Sequence, residues 1–191
     1  MLILIGGASR SGKSILTRRL LKDNAVPYFS LDMLMMGLVH GVPQLGANPD
    51  ASSIARAEHL WPVVRAICVN ILETGIERYC IEGDYLLPGQ VQELSQAFPG
   101  VVRCCFLGYA EADAARKVQE IRSYSDHPND WLRDYPDDYV RELAEEMIGF
   151  SRYLQTECAR LGLPYVDTSA DFVRGVETAL AQLKAGLPAI R

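Results

Sequence analysis

Gly7-Ala-Ser-Arg-Ser-Gly-Lys-Ser14 is the stretch that decides how this chain folds. Gly7 and Gly12 stand with four residues between them, and Lys13 and Ser14 follow at once, which completes the phosphate-loop pattern. Ahead of it, Met1-Leu-Ile-Leu-Ile5 is a short continuous apolar run, as in a parallel strand buried on both faces. Behind it, Ile15, Leu16, Leu20 and Leu21 recur at helical spacing. Strand, glycine loop and helix in that order make a cradle for a polyphosphate.

The residue types explain the chemistry. Gly7 and Gly12 open backbone angles that a side chain forbids, so successive amides turn inward toward phosphate oxygens. The helix beginning near Lys13 adds the positive end of its dipole. Backbone and side chains from Gly7, Ala8, Ser9, Arg10, Ser11, Gly12, Lys13, Ser14 and Ile15 are therefore the expected contacts of a nucleotide. Lys13 is expected between the β- and γ-phosphates, and the Ser14 hydroxyl is expected on a magnesium ion that bridges them. Arg10 either contacts the nucleotide or faces water.

A chain of 191 residues forms one ordinary domain, residues 1–191, with room for a substantial core. Its 49% hydrophobic and 23% charged residues are those of a globular protein. A net charge of −5 gives no footprint for non-specific nucleic-acid binding, so anions must be gripped by a local cationic site. No apolar stretch is long enough to span a bilayer, and the first strand is too short for a secretory signal. Cys68, Cys80, Cys104, Cys105 and Cys158 include no Cys-x-x-Cys pair, which disfavours zinc and redox motifs and leaves free thiols in a reducing cytoplasm as the expectation.

Strand signals alternate with helical segments, the pattern of a parallel sheet covered on both faces. Val26–Leu31 reads as the second strand, ending at Asp32. The segment from about 33 to 77 opens with Gly41, Pro43, Gly46 and Pro49 and continues as a helix from about Ser52 to Glu73; it is the expected acceptor-binding insertion. Arg78–Glu82 and Val101–Leu107 are the third and fourth strands. A charged helix from Ala110 to Arg122 and a polar stretch to Asp138 follow, so a lid is expected over about 110–138. A helix from about Tyr139 to Leu161, a fifth strand at Pro164–Asp167 and a closing helix to about Lys184 complete the chain.

Ligands of open α/β sheets sit at the carboxyl ends of the strands, and there the chain places Asp32, Glu82 and Asp84. Asp32 is expected as general base or ligand of metal-bound water, a role compatible with capping the helix that follows. Glu82, between Ile81 and Gly83 at a tight strand exit, is expected to hold magnesium through water. Arginines stabilise charge on a transferring phosphoryl group. Of Arg116 and Arg122 at least one is expected to touch phosphate, the other choice being ion pairs with Glu111 or Glu120. Arg133 lies in the polar stretch, and Arg56 and Arg65 either bind an anionic acceptor or sit at the surface. His127-Pro-Asn-Asp-Trp131 is either a substrate grip or an ordinary turn. His40 and His59 are too isolated for a metal site.

With these residues in place, the chain resembles the nucleotide-kinase branch of P-loop proteins, which includes adenylate, shikimate and other small-molecule kinases. Ile81-Glu82-Gly83 is similar to the acidic-Gly turn after the third strand of adenylate kinases, and Ile81-Glu-Gly-Asp-Tyr-Leu-Leu-Pro-Gly89 to a segment of 2-phosphoglycerate kinases. The resemblance implies a three-layer P-loop NTPase fold with a five-stranded parallel sheet in the order 2-3-1-4-5 and a lid between strands 4 and 5. It puts Asp32 where several such kinases carry a catalytic or magnesium-linked aspartate, and Arg116 and Arg122 where lid arginines occur. It also lays the turn Asp167-Thr168-Ser169-Ala-Asp171 against the nucleotide base.

The activity so implied is transfer of the γ-phosphoryl group of Mg-ATP to a small-molecule acceptor, with an anionic acceptor among the candidates. The alternative is an ATP-binding regulatory switch or an ATPase without such an acceptor. A GTPase is disfavoured, because no Asn-Lys-x-Asp guanine-reading segment occurs. Nucleic acid and membrane are not expected partners, and nothing in the sequence marks an oligomeric state.

Overall fold

A computed structural model describes residues 1–123 and 132–187. Its strands are β1 (Leu2–Gly7), β2 (Tyr28–Ser30), β3 (Tyr79–Gly83), β4 (Val102–Gly108) and β5 (Tyr165–Asp167). They form one parallel sheet in the order β2-β3-β1-β4-β5. The helices are α1 (Lys13–Asn24), α2 (Leu31–Gly41), α3 (Ser53–Glu73), α4 (Pro88–Ala97), α5 (Ala114–Ser123), α6 (Asp137–Leu161) and α7 (Phe172–Lys184).

The apolar run of β1 alternates between two cores. Leu2 and Leu4 face one side with Ile81, Phe106 and residues of α3, α4 and α6. Ile3 and Ile5 face the other with Cys105, Leu107 and residues of α1 and α7. All four are completely buried, each contributing roughly 1.5–3 kcal/mol of burial free energy. A one-residue slip would exchange the two faces, so the central register is firmly set: Ile5 pairs with Glu82 on one side and Cys105 on the other.

Three elements differ from expectation. The second strand stops at Ser30, because that side chain accepts a hydrogen bond from the Asp32 amide and starts α2 at Leu31. Asp32 therefore lies in the first turn of a helix, neither ending the strand nor capping the helix. The charged helix begins at Ala114, after a turn in which the Ala112 amide donates to the Tyr109 carbonyl. Helix α4 was not anticipated; Pro88 opens it, and the Gln90 side chain accepts from the Leu87 amide. Part of the expected lid, including His127–Trp131, lies outside the described residues.

Candidate active site

The phosphate loop sits at the carboxyl end of β1 and leads directly into α1. Gly7 has φ 146°, and a Cβ there would lie 2.2 Å from the Leu107 carbonyl oxygen; only a glycine lets the loop run this close to β4. Gly12 (φ 103°) caps α1, so the amides of the first turn open at the loop. The Lys13 ammonium is buried and donates to the carbonyls of Gly7 (3.1 Å) and Ala8 (2.8 Å). The Ser11 amide donates to the Ala8 carbonyl at 3.2 Å, closing the turn, and Ser14 opens to solvent. The fully buried Ser11 hydroxyl meets no hydrogen-bond partner among the described residues. A cradle that a Cβ would fill, a helix N-terminus and an orphaned hydroxyl fit a polyphosphate.

Three carboxylates face this loop. Asp32 opens onto solvent, yet the protein packed around it raises its carboxyl above the usual carboxylate range, and the charge of Asp84 adds to the effect; Lys13 and Arg56 oppose it. Glu82 is buried at the end of β3, and burial likewise raises its carboxyl, against the pull of Lys13. Asp84, also buried, acts electrostatically on Asp32, Glu82, Tyr85 and Tyr109, which places it at the centre of the cluster. Among the described residues no group of three His, Cys, Asp or Glu forms a ready-made metal site. Magnesium keeps several waters and leans on one or two side chains plus phosphates. Ser14, Asp32 and Glu82 are the residues available for it.

On the α3 side, the Arg56 guanidinium stands 5.0 Å from the centre of the Tyr85 ring, donates to the Pro49 carbonyl (2.8 Å) and Ser53 hydroxyl (3.1 Å), and keeps a buried Nε without a hydrogen-bond partner among the described residues. Beside it is a cavity of about 200 Å³ lined by Met35, Asn48, Arg56 and His59. Arg65 points elsewhere and pairs with Glu93 at 3.0 Å on the surface.

A second cavity, of about 130 Å³, brings Arg116 together with Thr168 and Ser169 and adds Tyr109, Lys117 and Glu120. Arg116 is exposed and pairs with Glu120 at 3.1 Å. The Thr168 hydroxyl donates to the Gly108 carbonyl (3.0 Å), and Ser169 accepts from the Glu111 amide (3.1 Å). Arg122 is not in this group. Its guanidinium donates to the carbonyls of Leu132 (2.9 Å), Arg133 (3.3 Å) and Tyr135 and pairs with Asp137, joining α5 to the approach of α6. Arg133 itself is exposed.

Three site-lining residues escaped the sequence reading: Tyr85, Tyr109 and Lys117. Tyr85 and Tyr109 follow the ends of β3 and β4, so the strand-end criterion that selected Asp32 and Glu82 also covers them. Neither tyrosine carries a charge that would single it out at a strand end. Lys117 carries no such signal.

No family model matches the chain, and no curated protein matches it. Solved structures do. A gluconokinase from Sinorhizobium meliloti 1021 superimposes with a TM-score of 0.56 at 19% identity over 97% of this chain and 92% of its own. A shikimate kinase from Bacteroides thetaiotaomicron gives 0.53 at 15% over 97% of each chain. An uncharacterized protein from Eubacterium ventriosum ATCC 27560 gives 0.52 at 13% over 97% of this chain and 98% of that one. The chain shares its fold with the gluconokinase and the shikimate kinase over 97% of its length.

Proposed function

We propose that this protein is a phosphotransferase that moves the γ-phosphoryl group of Mg-ATP to a hydroxyl of a small molecule. The observation that carries the reading is a complete phosphate loop facing Asp32 and Arg56 across the carboxyl edge of one sheet. Lys13 and the α1 N-terminus hold the phosphates, and bound magnesium would neutralise charge on the β- and γ-oxygens, anchored through Ser14 and, by way of water, Asp32 and Glu82. Asp32 takes the proton of the acceptor hydroxyl as that oxygen bonds to the γ-phosphorus; the bond to the β–γ bridging oxygen breaks, and ADP leaves with its electron pair. A carboxyl raised above its ordinary range is suited to that proton transfer.

Arg56 supports an anionic acceptor, and the adjoining cavity limits its size. A dry cavity of about 150 Å³ accommodates benzene, so 200 Å³ suits a compact acid rather than a whole nucleotide. Thr168 and Ser169 support a place for the nucleotide base, and Arg116, which lines the same cavity, is the arginine for charge at the phosphates, since Arg122 is taken up by the carbonyls before α6 and Asp137. The five free cysteines support a reducing, cytoplasmic setting.

A panel of hydroxy acids, phosphorylated three-carbon acids, polyols and nucleoside monophosphates, each with Mg-ATP and a coupled assay of ADP release, tests the reading. A compact hydroxy acid should stimulate release far above background, and Lys13→Ala should abolish that stimulation with the circular-dichroism spectrum unchanged. ATP binding with no stimulation across the panel would instead favour the switch.

A further inference from the structure

The Tyr109 hydroxyl donates to the Ser9 carbonyl oxygen at 2.8 Å, crossing from the end of β4 to the middle of the phosphate loop. Tyr109 is 2% exposed, so its ring has little room to move. The Lys117 ammonium lies 4.1 Å from the ring centre, with 7% of its side chain exposed and Glu120 3.4 Å away. A buried cation is attracted to the aromatic face and presses on the ring from the α5 side. The Tyr109 amide is fixed as well, donating to the Ser151 hydroxyl at 3.1 Å. The residue is held at backbone, ring and hydroxyl.

The peptide geometry gives this bond a direction. Ser9 C=O and Arg10 N–H belong to one trans peptide plane and point to opposite sides of the chain. Fixing the carbonyl on Tyr109 therefore turns the Arg10 N–H away from β4, to the other face of the loop. Arg10 also has φ 59°, a left-handed conformation that is unfavourable for a side-chain-bearing residue. Such a geometry persists only where neighbours over-determine it, and the bond to Ser9 is one such restraint.

We propose that Tyr109 is a positioning residue for phosphate binding: by holding the Ser9 carbonyl it aims the Arg10 amide at the polyphosphate, while Lys117 braces its ring. The inference rests on the loop being a polyphosphate site, as the proposed function requires. It adds a residue outside the loop that sets the direction of one of its amides. It also ties that amide to α5 through Lys117 and Tyr109.

Tyr109→Phe removes the hydroxyl and leaves the ring, its burial and the Lys117 contact. Magnesium tripolyphosphate is the probe, since it engages the loop and has no base. In the wild-type protein its binding should shift the Arg10 amide resonance downfield. In Tyr109→Phe the affinity should fall about five- to ten-fold, as for one lost charge-assisted contact, and the Arg10 shift should shrink, with the melting temperature little changed. Lys117→Met, which keeps the hydroxyl but removes the brace, should give a smaller loss. If the wild type binds tripolyphosphate and Tyr109→Phe binds it equally well with the same Arg10 shift, the positioning role is overturned and the polyphosphate site stands. If the wild type does not bind tripolyphosphate at all, both are overturned.

Discussion

Lys117 shows how single side chains here trade stability for placement. Burial lowers its ammonium below the ordinary lysine value of 10.5, an effect only partly offset by Glu120, and Arg10 and Arg116 add repulsion. A base whose folded pKa is depressed weakens the fold wherever it is charged; that penalty fades as pH climbs from the folded pKa to the unfolded one, where both states are neutral. Lys117→Met should accordingly raise the melting temperature at pH 7, and the gain over wild type should shrink as the pH approaches 10.5 in a thermal-denaturation series. The same variant is expected to bind polyphosphate less tightly, the usual opposition between stability and site geometry. A gain that stayed constant across the series would show that charge burial is not its cause.

Among elements, α2 depends on the residue that caps it. Ser30 closes β2, pairs with Glu82 in the sheet and caps the helix that carries Asp32, although its bond to the Asp32 amide is long at 3.4 Å. Ser30→Ala should cost about 0.5–1 kcal/mol, the lower part of the range for a lost cap, read as a shifted urea midpoint with unchanged slope. Turnover should fall further than stability, because a frayed first turn misplaces Asp32. This is also where sequence reading reaches its limit. Asp32 and Ser30 are both good capping residues, and β2 has only three residues, so composition alone does not choose the boundary. Helix α4 was missed because its inward face amounts to Pro88, Val91 and Leu94, too little for a clear period. The phosphate loop was legible because its glycines, lysine and serine answer to local backbone geometry. Tyr109 and Lys117 were not, because their meaning comes from a contact between β4, α5 and a loop some hundred residues earlier.

For the whole molecule, the alternation of strands and helices implied a parallel sheet, whereas the order with β1 at the centre came from resemblance, since neither composition nor periodicity records which strands are neighbours. The central strand carries the loop, so a ligand there should stabilise the entire sheet. Mg-ATP at about one hundred times its Kd should add about 2.7 kcal/mol, which for a chain of this size is a rise of roughly 5–10 °C in Tm by calorimetry. Lys13→Ala should show none of it. A different consequence follows from Arg122, whose one guanidinium gathers three carbonyls and a carboxylate across the gap between α5 and α6. The clasp ties the end of α5 to the approach of α6. Because closing a longer loop adds only about 0.6 kcal/mol for each doubling of its length, descendants of this chain can lengthen the sequence that joins these two ends at small entropic cost.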